Sequence, residues 1–97
     1  MEKVRVGVIG TGYLGKFHAE KYANMADTVL AGVVDVDRAA AEAVAGKWDV
    51  PAYTDYRQIL DRVDAVSIVV PTPAHFSIAM DCLENDLDIL VEKPMTS

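Results

Sequence analysis

Four short runs of aliphatic and β-branched residues recur along the chain: Val4–Ile9 (VRVGVI), Val29–Val34 (VLAGVV), Ala65–Val70 (AVSIVV) and Leu87–Glu92 (LDILVE). Consecutive apolar positions over so few residues are the pattern of strands buried on both faces of a parallel sheet. A fifth, shorter strand is predicted around Ala52–Tyr53. Between the runs, apolar positions space out to every third or fourth residue, the stripe of a helix that buries one face. The predicted stripes are Leu14, Phe17, Lys21 and Met25; Ala41, Val44, Ala45 and Trp48; Tyr56, Ile59, Leu60 and Val63; and Phe76, Ala79, Met80 and Leu83. Lys21 interrupts the first, although its stem can lie along apolar surface. Three helices carry start signals: Asp37 as a cap, Asp55 with Gln58 three residues on as a capping box, and Thr72 ahead of Pro73 at the first helical position. Strand and helix in strict alternation predict an α/β fold with a doubly wound parallel sheet, a Rossmann fold of about five strands in one domain spanning residues 1–97.

Composition narrows the partners. The chain is 52% hydrophobic and 25% charged, a globular balance, and its formal net charge is −6. With no Lys/Arg cluster, it lacks the basic face that nucleic acid or an anionic membrane requires. Cys82 stands alone, so no intramolecular disulfide can form; a packing role in a reducing, cytoplasmic setting fits. The apolar N-terminus is expected to be neither a signal peptide nor a membrane span, because Arg5 and Gly7 interrupt it and Gly10 and Gly12 break it.

Candidate chemistry begins with Gly10, Gly12 and Gly15, a G-x-G-x-x-G directly after a predicted strand and at the opening of a predicted helix. In a dinucleotide-binding corner the first glycine permits the tight turn, the second admits a pyrophosphate to the backbone, and the third lets helix and strand pack closely. The stretch Gly10, Thr11, Gly12, Tyr13, Leu14 and Gly15 is therefore the candidate pyrophosphate site, with the N–H groups near Tyr13 and Leu14 supplying the positive end of the helix dipole. Such spacing also arises in ordinary tight turns. Asp35 distinguishes the two, ending the second strand twenty residues after Gly15, where a carboxylate accepts from the adenosine ribose hydroxyls. That carboxylate favours NAD over NADP by repelling a 2′-phosphate; Arg38, three residues on, is the group that would instead hold one. Two further stretches fall at predicted strand ends, where site residues of open α/β sheets collect. They are VVPTPAHF (Val69–Phe76) and EKP (Glu92–Pro94), whose Lys93 can donate to an oxygen on which charge develops. Pro94 leaves the isomer of its peptide bond open.

Taken together, VGVIGTGYLGKFH, Asp35, PTPAHF and VEKPMTS resemble the N-terminal domain of the Gfo/Idh/MocA oxidoreductases, over essentially the whole chain. The resemblance implies hydride transfer between NAD(P) and a sugar, cyclitol or related small molecule. It implies Pro71, Thr72, His75 and Glu92 along the nicotinamide half of the cofactor, with His75 divided between that role and packing. It implies Lys93 as the catalytic residue, orienting the substrate and stabilising the developing alkoxide. His18 is expected to pack helix against sheet. Members of the family carry a second α/β domain that supplies most of the substrate pocket and an Asp/His pair. The 97 residues are thus expected to be the front part of a longer protein, a reading a native stop codon after Ser97 would refute. Alone they are expected to bind cofactor weakly and turn nothing over, with self-association through an uncovered apolar face. Two other classes compete: a non-catalytic NAD(H)-sensing module, which leaves EKP unexplained, and a methyltransferase, which leaves PTPAHF unexplained.

Overall fold

The runs of β-branched residues form strands β1 (Val4–Ile9), β2 (Thr28–Val34), β3 (Ala52–Tyr53), β4 (Ala65–Ile68) and β5 (Asp88–Leu90). The structure, a computed structural model, describes residues 3–10, 13–69 and 72–90; of residues 13–14, 72–76 and 90 it describes the backbone alone. All pairings are parallel and the sheet order is β3-β2-β1-β4-β5. Central β1 sets Val8 beside Val33 of β2 and Ser67 of β4. Helices α1 (Tyr13–Asn24), α2 (Arg38–Trp48) and α3 (Thr72–Glu84) make the crossovers from β1 to β2, β2 to β3 and β4 to β5.

The period of two along each strand sends side chains to both faces. On one face Val6, Val8, Leu30 and Val33 pack with Ala19 and Tyr22 of α1 and Ala41, Val44 and Ala45 of α2. On the other, Ile9, Val34, Val66 and Ile68 pack with Ile59, Val63, Ile78 and Cys82. Each large aliphatic side chain buried in this way contributes roughly 1.5–3 kcal/mol relative to exposure.

Three expectations need correction. The stretch Tyr56–Val63 is no α-helix: only Tyr56–Gln58 coils, as a 3-10 turn whose first backbone N–H to be satisfied, that of Arg57, donates to the Asp55 carboxylate. The reason lies in the strands beneath. Gly7 and Gly32 are register partners, and a methyl group on either would lie 2.7 Å and 3.1 Å from Cδ1 of Ile59. Fully buried Ile59 therefore seats in the gap the paired glycines leave, and a plug from a loop closes this part of the face.

The second correction concerns α1, which among its described side chains buries Gly15, His18, Ala19 and Tyr22 rather than Phe17, Lys21 and Met25 of the predicted stripe. Phe17 is 51% exposed, and Met25 lies beyond the helix end and is also exposed. Close approach at Gly15, described below, sets the rotation of the helix and outweighs the preference of a phenylalanine for the interior. In α3, likewise, Ile78 and Cys82 face the sheet while Met80 and Leu83 are exposed. Third, the Asp55 capping box reduces to a side-chain bond to the backbone and guanidinium of Arg57, since Gln58 donates its backbone N–H to the Asp55 carbonyl at 3.0 Å. Helix α2 follows expectation: Ala41, Val44 and Ala45 are buried, and Asp37 caps it.

Candidate functional site

From β1 the chain winds outward through β2 to β3; it then crosses back to β4, beside β1, and winds to β5 in the opposite direction. A reversal of this kind opens a crevice beyond the carboxyl ends of the strands. Three strand-to-helix corners meet there.

At the first, β1 passes through Gly10, which is buried, has φ of 102° and donates its N–H to the Val34 carbonyl at 2.7 Å. That φ favours glycine strongly. A Cβ on Gly15 would stand 2.0 Å from the Gly10 carbonyl oxygen, so α1 presses directly on the end of β1. Tyr13 and Leu14 begin the helix, and its first turn holds no acidic residue. The positive end of its dipole thus faces the crevice without a carboxylate from that turn. Thr11 and Gly12 lie outside the described residues.

At the second corner, the Asp35 N–H donates to the Tyr53 carbonyl at 3.0 Å, which ties the corner to β3. The Asp35 carboxylate accepts the Asp37 N–H at 2.9 Å. Asp37 in turn accepts from Ala39 and Ala40 at 3.0 and 3.3 Å, capping α2. Arg38 points its guanidinium to Glu42, 3.5 Å away, both side chains being exposed.

At the third, the Val69 N–H donates to the Ile9 carbonyl at 2.8 Å, holding the exit of β4 against β1. Helix α3 starts at Thr72, so His75 falls in its first turn, on the same edge of the sheet as Gly10 and Asp35. Pro71, Glu92, Lys93 and Pro94 lie outside the described residues.

Behind the first corner, His18 of α1 bonds Ser67 of β4 through Nδ1 and Oγ at 2.7 Å, with both residues buried. His18 thus packs helix to sheet with its polar atom satisfied. Nothing in the glycine motif announces this partner; a serine inside the apolar run AVSIVV was the available signal. Arg5 holds the Asp64 carboxyl below its ordinary range through hydrogen bonds at the opposite edge of the sheet. Burial pushes the Cys82 thiol up to about 11. Among the described residues no cluster of His, Cys, Asp and Glu is arranged to hold a metal ion, and no helix is long and apolar enough to cross a membrane.

A family profile described as "Oxidoreductase family, NAD-binding Rossmann fold" matches residues 4–97. The chain belongs to the Gfo/Idh/MocA oxidoreductase family. As a Gfo/Idh/MocA domain of the NAD-binding type it takes NAD as its cofactor, and the methyltransferase alternative falls away. It is 44% identical over 96 residues to a UDP-N-acetylglucosamine 3-dehydrogenase from Acidithiobacillus ferrooxidans, covering 99% of this chain and 30% of that protein. It is 36% identical over 97 residues to an inositol 2-dehydrogenase from Rubrobacter xylanophilus, covering 97% of this chain and 28% of that protein. The crystal structure of GenD2 from gentamicin A biosynthesis, in complex with NAD, superimposes with a TM-score of 0.90 at 30% identity, over 99% of this chain and 28% of its own. The chain therefore spans a little under a third of the length of these Gfo/Idh/MocA relatives.

Proposed function

We propose that this domain serves an NAD-dependent dehydrogenase whose substrate is a sugar, a cyclitol or a related small alcohol, and that the crevice at the switch of strand order holds the cofactor. The observation that carries the reading is the bare corner: Gly10 at positive φ and Gly15 against its carbonyl leave backbone where a diphosphate needs room. In this reading Gly10, Thr11, Gly12, Tyr13, Leu14 and Gly15 hold the pyrophosphate against the dipole of α1. Asp35 accepts from the adenosine ribose, while Pro71, Thr72, His75 and Glu92 border the nicotinamide half. The bound nicotinamide supplies a hydride acceptor or donor. Lys93 orients the substrate hydroxyl and stabilises negative charge on its oxygen as the C–H bond weakens.

The relatives' names, a nucleotide-sugar dehydrogenase and an inositol dehydrogenase, support a polyhydroxylated ring as substrate. A cytoplasmic setting agrees with the buried thiol of Cys82. Homo-oligomer assembly belongs to the same proposal and is read from sedimentation at several concentrations.

The test is fluorescence titration with NADH and NADPH. Asp35→Ala removes a charged acceptor, a loss of roughly 1.5–3 kcal/mol, so NADH should bind about 10-fold or more weakly while NADPH changes far less. Tighter binding of NADPH than NADH by the unaltered chain would overturn the cofactor choice. The 97 residues by themselves are expected to bind NADH and oxidise no sugar, because proton transfer and substrate positioning are each worth orders of magnitude in rate. Turnover with inositol or a nucleotide sugar would contradict that.

A further inference from the structure

Asp35 is the acid expected to choose between the two nicotinamide cofactors, yet the second corner holds two carboxylates, and the other has no part in the reading so far. We infer that Asp37 is an independent determinant of cofactor selectivity: by capping α2 with its own carboxylate it takes the Ala39 and Ala40 N–H groups from a 2′-phosphate and repels its charge. The inference rests on the proposed seat of the adenosine ribose at Asp35.

Four backbone donors of this corner are already engaged. The Asp37 N–H goes to the Asp35 carboxylate at 2.9 Å. The Ala39 and Ala40 N–H groups go to the Asp37 carboxylate at 3.0 and 3.3 Å. The Ala41 N–H goes to the Asp37 carbonyl at 3.0 Å. A phosphate on the ribose that Asp35 faces would meet a helix start whose positive end is already neutralised by an anion. The contrast within the molecule lies in the sequence just before each helix: Gly12, with no side-chain acceptor, precedes α1, whereas the carboxylate of Asp37 precedes α2. One helix start on this edge is left to a ligand's anion, and its neighbour is filled by the protein's own.

Arg38 does not reverse this. Its partner Glu42 sits at 3.5 Å in an exposed i,i+4 pair, an interaction weak enough to be given up for a better anion. What keeps Arg38 from recruiting a phosphate is therefore the charge beside it. The Asp37 N–H donates to the Asp35 carboxylate at 2.9 Å, so the two acids share one corner, and charges closer together than a Debye length, about 8 Å at physiological salt, are little screened from one another.

The variants Asp37→Asn and Asp37→Ser test the inference without removing the cap, because both side chains cap helices as well as aspartate does. Each should leave the melting temperature and NADH affinity within about twofold of the parent. Each should tighten NADPH by about 5–10-fold at low salt, the order of effect of removing one unit charge beside a phosphate carrying about −1.5 to −2. The gain should shrink as salt rises. Asp61→Asn makes the same one-unit change in net charge in the segment that precedes β4, at the far edge of the sheet, and should change neither cofactor. Unchanged NADPH affinity in both Asp37 variants, or an equal gain from Asp61→Asn, overturns the inference. Binding of NADH by the parent tests the proposed function; the NADPH-to-NADH ratio across variants tests this.

Discussion

Gly15 has no room for even one more carbon. The atom it would meet is a backbone carbonyl oxygen at 2.0 Å, and backbone cannot swing aside as a side chain can. Gly15→Ala must therefore move α1 off β1, and we expect a loss of about 1–3 kcal/mol or more in urea unfolding, together with weakened NADH binding. Gly46, inside α2, provides the opposite case: a methyl group there meets nothing within 4 Å. Gly46→Ala should stabilise by about 0.4–1 kcal/mol, since alanine costs less conformational entropy in a helix. Opposite signs for one chemical change would separate a glycine kept for close approach from one that is merely tolerated. Equal effects would contradict the geometry at Gly15.

Among the elements, the strands were legible because β-branched runs demand burial on both faces, and β1 matches its expected bounds residue for residue. Which face of α1 turns inward was not. Among the described residues its buried side holds Gly15, His18, Ala19 and Tyr22, and glycine and histidine carry no hydrophobic signal, whereas exposed Phe17 carries a strong one. The loop that replaces a helix at Tyr56–Val63 was hidden for a different reason: its cause is a pair of glycines on two other strands, a contact no local window contains. At the site, the glycine spacing and Asp35 were readable as local patterns, while the pairing of His18 with Ser67 required the fold. The start of β1 is tied to the turn before β4 by Arg5, whose N–H and guanidinium both donate to Asp64, at 2.9 and 3.0 Å. This lowers the Asp64 pKa below its unfolded value of about 3.9, so the pair's contribution is complete above pH 4 and is lost as pH falls through the folded value. Asp64→Asn should accordingly be less stable than the parent at pH 7, with the gap in denaturant midpoint closing below pH 4. A gap that persists unchanged at pH 2.5 would show that the charge is not its source.

Across the whole molecule, β1 is paired on both sides and contributes Val6 and Val8 to one core face and Ile9 to the other. At the edge, β3 is two residues long. Hydrogen exchange should find the β1 amides opening only with global unfolding and those of β3 opening by a cheaper, local route. Equal protection would mean that the sheet opens as one unit. The Ile59 plug bears on how such domains can be recombined. Its socket is made by residues 7 and 32 and its stopper by residue 59, so the three behave as one inherited block. A shuffled gene that takes the first two strands from one parent and the following crossover from another will fit only if the incoming side chain matches the gap. Breakpoints placed after Val63 should yield far more soluble hybrids than breakpoints between Gly32 and Ile59.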